Sequence, residues 1–257
     1  MTANLLERVL AAIDAEHSAL AAVVESMAPD QLALDSAAAG CKIHDVLAHL
    51  GCGAEVGRAR VRAATDRANA HPVDIESIWA RWGAWTAEER ASHCVRHSAG
   101  WLEDIRPYLD ERSVRFTVGL FPETVPLVTF AGLRLSELAF HSWDIRAGIE
   151  IDAEVNEDSA HVLFDAFRGP LALLLDRWGP ALPISEPIRL AIPGGVVVID
   201  EHVRMLDAAQ AASTTLHVGA GAVLRLLSGR LRVDRDASVR TEGPADIETL
   251  RSLFQGH

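Results

Sequence analysis

Lysine is almost absent from this sequence. Among 24 basic residues, set against 36 acidic ones, only Lys42 is a lysine, and the 257-residue chain carries a formal charge of −12. Such a deficit excludes recognition of a phosphate backbone, which takes a Lys/Arg surplus, so no nucleic acid is expected as a partner. Arginine in place of lysine, with abundant alanine, reads as the mark of a GC-rich genome. Aromatic residues are scarce at 5%; alanine, leucine and valine supply the apolar content instead. Cys41, Cys52 and Cys94 are the only cysteines, too few and odd in number for a disulfide framework, which points to a reducing cytosol. No uncharged apolar run reaches the roughly 18 residues a membrane span needs. Glu7, Arg8, Asp14 and Glu16 interrupt the N-terminal stretch, and no signal-peptide core is found. The expectation is a cytoplasmic protein that does not enter a membrane. Missing too are a G-x-S-x-G nucleophile elbow and a glycine-rich phosphate loop after a strand.

What is present is enough apolar residue, 49% of the chain, for one large domain or for a medium and a small one. Leu6, Val9, Ile13, Leu20, Val24 and Met27 recur at helical steps and predict a helix over 3–28, stopped at Pro29. A second helix is expected from Ile43 to about Asp66. Gly51 and Gly53 either weaken its middle or admit another backbone. A third, single or paired, spans Asp74 to Leu109, and a fourth runs from Leu127 to Gly148 after the Pro/Gly-bearing connection Gly119–Pro126. A fifth covers 157–178, kinked or split at Gly169-Pro170. Beyond a Pro/Gly stretch the character changes. Short strands are expected at Pro187–Ile192, Val196–Leu206, Thr214–Val218 and Ser238–Glu242, with Pro193-Gly194-Gly195 as a turn and helices at Gly221–Leu227 and Ala245–Phe254. The fold class is therefore α followed by α+β: a helical bundle over residues 1–180 and a small α+β domain over 186–257.

The fourth helix carries Arg134, Glu137, His141 and Asp144. Glu137 and His141, i and i+4, share one face about 6 Å apart along the axis and are able to grip one divalent ion. Asp144, three residues on, is placed to accept the second imidazole N–H. Arg134 is placed either to pair with a carboxylate or to contact an anionic substrate. Taken alone, this is also what an exposed helix with ordinary polar pairs looks like. His49 on the second helix, with Asp45 one turn earlier, reads by itself as a core histidine with a satisfied hydrogen bond. Joined with Glu137 and His141 it completes a two-histidine, one-carboxylate set with one open position, the pattern of a catalytic zinc. A rival pair, His93 and His97, lies in a strongly polar stretch and reads as a solvated face. His44 points away from His49, and His17, His71, His161, His202, His217 and His257 have no partner at ligand spacing. Cys41 and Cys52 are weaker candidates as reactive thiols, since buried cysteines are usually inert. Trp79, Trp82 and Trp85 read as core.

Two motifs carry a family resemblance: Ile43-His44-Asp45-Val46-Leu47-Ala48-His49-Leu50, and Arg134, Glu137, His141, Asp144 with Ile145. They resemble the mycothiol-dependent maleylpyruvate isomerase family, within the DinB-like metal-binding four-helix bundles. The segment from Ala222 to Arg230 is similar to the end of a small sterol-carrier-like C-terminal domain, so the resemblance covers nearly the whole chain. It implies an up-down DinB-like bundle in which His49, Glu137 and His141 hold a divalent metal, usually zinc. It also implies mycothiol, the small thiol of actinobacteria, as cosubstrate. The implied chemistry is isomerisation of, or S-transfer to, a small electrophile. Arg225 or Arg230 of the second domain is expected, from arginine's fit to carboxylates, to reach the cleft and bind a carboxylate. The family usually has Trp-Ser or Trp-Thr before the first motif; Cys41-Lys42 stands here instead. Two alternatives stay open: a non-catalytic carrier of a small molecule or lipid, and a paralogue that keeps a structural metal. The electrophile and the oligomeric state are not legible.

Overall fold

The computed structural model describes residues 2–66, 73–110, 113–180, 182–184, 186–232, 236 and 239–254. His71, His257 and Ser238 lie outside them, as do residues 181 and 185 of the expected linker. The chain packs as two units, Met1–Ala153 and Glu154–His257.

The first unit is helical: α1 (Thr2–Ser26), α2 (Ile43–Thr65), α3 (Ile75–Ala84), α4 (Ala87–Ile105) and α5 (Leu127–Ala147). The expected third helix is thus a pair. Asp74 caps α3, accepting from the Ser77 amide at 3.0 Å, while Thr86 and Glu89 form a reciprocal capping box that starts α4 afresh. Helices α1, α2, α4 and α5 pack on one another, and α3 leans on α2. α5 is buried on nearly every side, from Leu127 to Ala147. This is why its apolar residues give no clear stripe, and why its few charged side chains stand out. α2 and α4 approach closely because α2 spends glycine at the crossing. A Cβ on Gly51 would lie 2.8 Å from the Cα of Cys94 and overlap the Trp82 ring. One on Gly57 would lie 2.5 Å from Nε1 of Trp101. The Gly119–Pro126 connection is not a plain loop: it closes an antiparallel ribbon of β1 (Arg115–Phe116) and β2 (Val125–Pro126).

The second unit holds α6 (Glu157–Phe167), α7 (Ala172–Arg177), α8 (Ala220–Leu227) and α9 (Ile247–Leu253) around a five-stranded sheet. Its strands are β3 (Ile188–Ile192), β4 (Gly195–Ile199), β5 (Val203–Leu206), β6 (Thr214–His217) and β7 (Arg240–Glu242), in the order β5-β4-β3-β6-β7. Only β3 and β6 run parallel. The split of α6 from α7 falls at Gly169-Pro170, as expected. The expected strand Val196–Leu206 is in fact a hairpin, because Asp200 turns the chain by accepting from the His202 amide at 2.9 Å. Gly194, at φ +78°, follows Pro193 in the β3–β4 turn, a conformation glycine adopts without strain. The boundary expected at 180–186 falls earlier, between Ala153 and Glu154. The reason is packing: α6 lies against α8 and α7 against β5, so the helices assigned to the bundle belong with the sheet. Among the described residues no helix is long and apolar enough to cross a membrane.

Candidate metal centre

α2 and α5 bring three donors together. Nε2 of His49 and Oε2 of Glu137 lie 2.8 Å apart, and Nε2 of His141 is 3.5 Å from the same oxygen. Donor atoms of His49, Glu137 and His141 all fall within 4.8 Å of one another, and no other group of three such side chains converges among the described residues. The two imidazoles meet edge to face, with centroids 4.7 Å apart. Nδ1 of His141 is 2.8 Å from Oδ2 of Asp144, and the Asp144 side chain is wholly buried. That bond puts the proton of neutral His141 on Nδ1 and leaves Nε2 as the lone-pair donor, the arrangement ligating histidines require. The residues therefore fit a divalent ion by donor type, spacing and tautomer.

Burial acts to raise the Glu137 carboxyl, but the hydrogen bond from His49 and the positive charges of His141, His49 and Arg134 outweigh it and hold the group down to about 2. His49 is no core histidine: 59% of its side chain is exposed, and Asp45 does not bond it. Asp45 accepts instead from the Lys42 amide and from Arg90.

Arg134 is buried, donating to the Leu50 carbonyl at 3.0 Å and to the Ser98 hydroxyl at 2.8 Å. It pairs with no carboxylate among the described residues and binds α5 to α2 and α4. Arg230 belongs to the second unit, where it donates to the Ser228 carbonyl at 3.3 Å. Arg225 is held there by Asp236 at 2.7 Å and Glu154 at 2.6 Å, so the structure uses it as an internal ion pair. The rival histidines part company: His93 stacks on Trp85 at 3.7 Å, while His97 sits half-buried against Trp82 and near Glu55. The stretch read as a solvated face is thus partly an aromatic contact. His44 bonds Arg90.

Two cavities share His49 in their walls. One, of about 500 Å³, is lined by His49, Cys52, Val56, Arg60, Ile75 and Trp79 among others. The other, of about 350 Å³, is lined by His49, Arg60, Trp101, Phe130, Arg134 and Glu137 among others, with Val118 and Leu120 supplied from the β1–β2 loop. Of the three tryptophans read as core only Trp82 is; Trp79 is 64% exposed and walls the first cavity. Arg60 was missed from the sequence, although the signal was there: Gly53, Val56 and Arg60 follow His49 at +4, +7 and +11, one face of α2.

A family model described as the mycothiol maleylpyruvate isomerase N-terminal domain matches residues 13–146. Two crystal structures of the mycothiol-dependent maleylpyruvate isomerase, one of them a histidine-to-alanine mutant, superpose with a TM-score of 0.61 at 16% identity over 94% of this chain and 95% of theirs. At that identity the likeness is one of fold. No curated protein matches the sequence.

Proposed function

Because the chain belongs to the family of the mycothiol maleylpyruvate isomerase N-terminal domain, we propose that it is a mycothiol-dependent isomerase in which His49, Glu137 and His141 hold one divalent ion, zinc in the first instance. The reading is carried by the three donor atoms gathered from two helices to within 4.8 Å. Two imidazoles and one carboxylate leave a four-coordinate ion one open position. When bound, the ion lowers the pKa of a thiol that reaches it, so that thiolate, the reactive form, is populated near neutral pH.

The protein's own groups prepare that site. Glu137, ionised down to about pH 2, offers an anionic ligand without releasing a proton. Asp144 holds His141 in the ligating tautomer. Cys52 lines the larger cavity, but burial pushes its thiol up to about 11, which leaves it a poor nucleophile near neutral pH; in this reading the attacking sulfur is that of a small thiol cosubstrate. Addition of that thiolate to a conjugated double bond forms a C–S bond and places the π electrons on the electrophile's carbonyl. The former double bond then rotates. Elimination breaks the C–S bond, restores the double bond with the opposite geometry and returns the thiolate unchanged. The same addition without elimination is S-transfer.

Element analysis of the purified protein and of His49→Ala, Glu137→Ala and His141→Ala tests the site. One ion per chain is expected in the wild type and substantially less in each variant. Stoichiometric metal retained in all three overturns the assignment. Isomerisation of maleylpyruvate that requires both mycothiol and metal is the expected activity; failure of metal-loaded protein to turn over with the thiol overturns the isomerase reading.

A further inference from the structure

Arg60 lies eleven residues after His49 on α2. At about 100° per residue the two are within about 20° of one another around the helix, and at about 1.5 Å per residue roughly 16 Å apart along it. Helical side chains lean back toward the N-terminus, which brings a long arginine at this position toward the histidine. It lines both cavities, and so do His49 and Gly53.

Three nearby arginines are neutralised, and Arg134 is spent on a backbone carbonyl and a hydroxyl. Arg58 pairs with Asp104 at 2.8 Å, Arg90 with Asp45 at 2.9 Å, and Arg81 with Glu55. Arg60, half-buried, has no hydrogen bond or ion pair from its side chain among the described residues. A guanidinium partly withdrawn from water in an apolar cleft is strongly attracted to an anion that can meet its planar fork. Burial also draws down the pKa of Arg60, a cost that a bound anion relieves. The chain as a whole bears −12, so a local positive site is what admits an anionic ligand here.

Building on the isomerase reading, we propose that Arg60 is the residue of this site that recognises the carboxylate of the electrophile. The carboxylate docks on the Arg60 fork, while the reacting carbon extends along α2 toward His49. The apolar walls, Trp79 and Val56 on one side and Trp101 and Phe130 on the other, accommodate the carbon skeleton between them.

The test is direct binding of succinate, a dicarboxylate that cannot react, against its neutral dimethyl ester, followed by calorimetry and by tryptophan fluorescence. Arg60→Gln is expected to weaken succinate roughly tenfold to hundredfold, with Arg60→Lys recovering part of the loss and the ester indifferent to both changes. Metal content and melting temperature of the variants should match the wild type. The same ratio between wild type and R60Q is expected in chelator-stripped protein, so the result does not depend on the three-ligand site holding an ion. Equal succinate affinity in wild type and R60Q overturns the proposal, as does failure of the wild type to bind succinate.

Discussion

Asp144, fully buried, holds Nδ1 of His141 at 2.8 Å from its carboxylate. Both lie on α5, so this pair ties the orientation of one donor to the packing of a helix that is covered along its length.

Asp144→Asn keeps the volume but removes the charge that favours a proton on Nδ1. Loss of such an outer partner typically weakens metal affinity about tenfold to hundredfold. Competition with a chromophoric chelator should show that drop with little change in circular dichroism. An unchanged affinity means that His141 is oriented by its packing alone.

Gly51 and Gly53, two residues apart, should respond oppositely to alanine. At Gly51 the new methyl meets the Trp82 ring and the backbone of α4, an overpacking that costs about 1–3 kcal/mol. At Gly53 the nearest atom is Nη1 of Arg134, at 3.9 Å. There, reduced freedom of the unfolded chain stabilises by about 0.4–1 kcal/mol. Denaturant midpoints measure both.

Native protein should show one readily titrated thiol, the partly exposed Cys41. Burial pushes the thiols of Cys52 and Cys94 up to about 11, so at pH 8 they stay protonated as well as covered. All three should react in denaturant. Rapid labelling of Cys52 in the native state would reopen it as a nucleophile.

Glu137 has a folded pKa of about 2, below its ordinary 4.5. Its ionised form is thus favoured by folding. The stability it contributes is complete above about pH 4.5 and is lost as pH falls toward 2. In metal-free protein the gap in stability between wild type and Glu137→Gln should close across that acid window. A gap that widens on acidification contradicts the assigned cause.

The convergence of Glu137 and His141 was legible because charged residues in α5 have few structural reasons to be there, and i,i+4 spacing survives any packing. His49 was harder. Among Val46, Leu47 and Leu50 it reads as core, and only the fold shows that α2 turns it outward into the cleft. The role of Arg134 could not be read, since its acceptors, Leu50 and Ser98, come from other helices. The boundary was misplaced for a related reason: an amphipathic helix such as α6 does not say whether helices or a sheet will cover its apolar face. Arg60 went unnoticed because a lone arginine on a helix is ordinarily solvated; only the fold shows it half-buried in the wall of two cavities.

Sheathed on nearly all sides, α5 should be the last stretch of the first unit to exchange its amide protons for deuterium, whereas α3, resting on α2, should be among the first. Two of the donors stand on that covered helix, and Trp79 stands exposed on α3, the rim of the larger cavity. Divergence in such a protein is then free to rework the rim for a new molecule, generation after generation, while the clasp beneath it goes undisturbed.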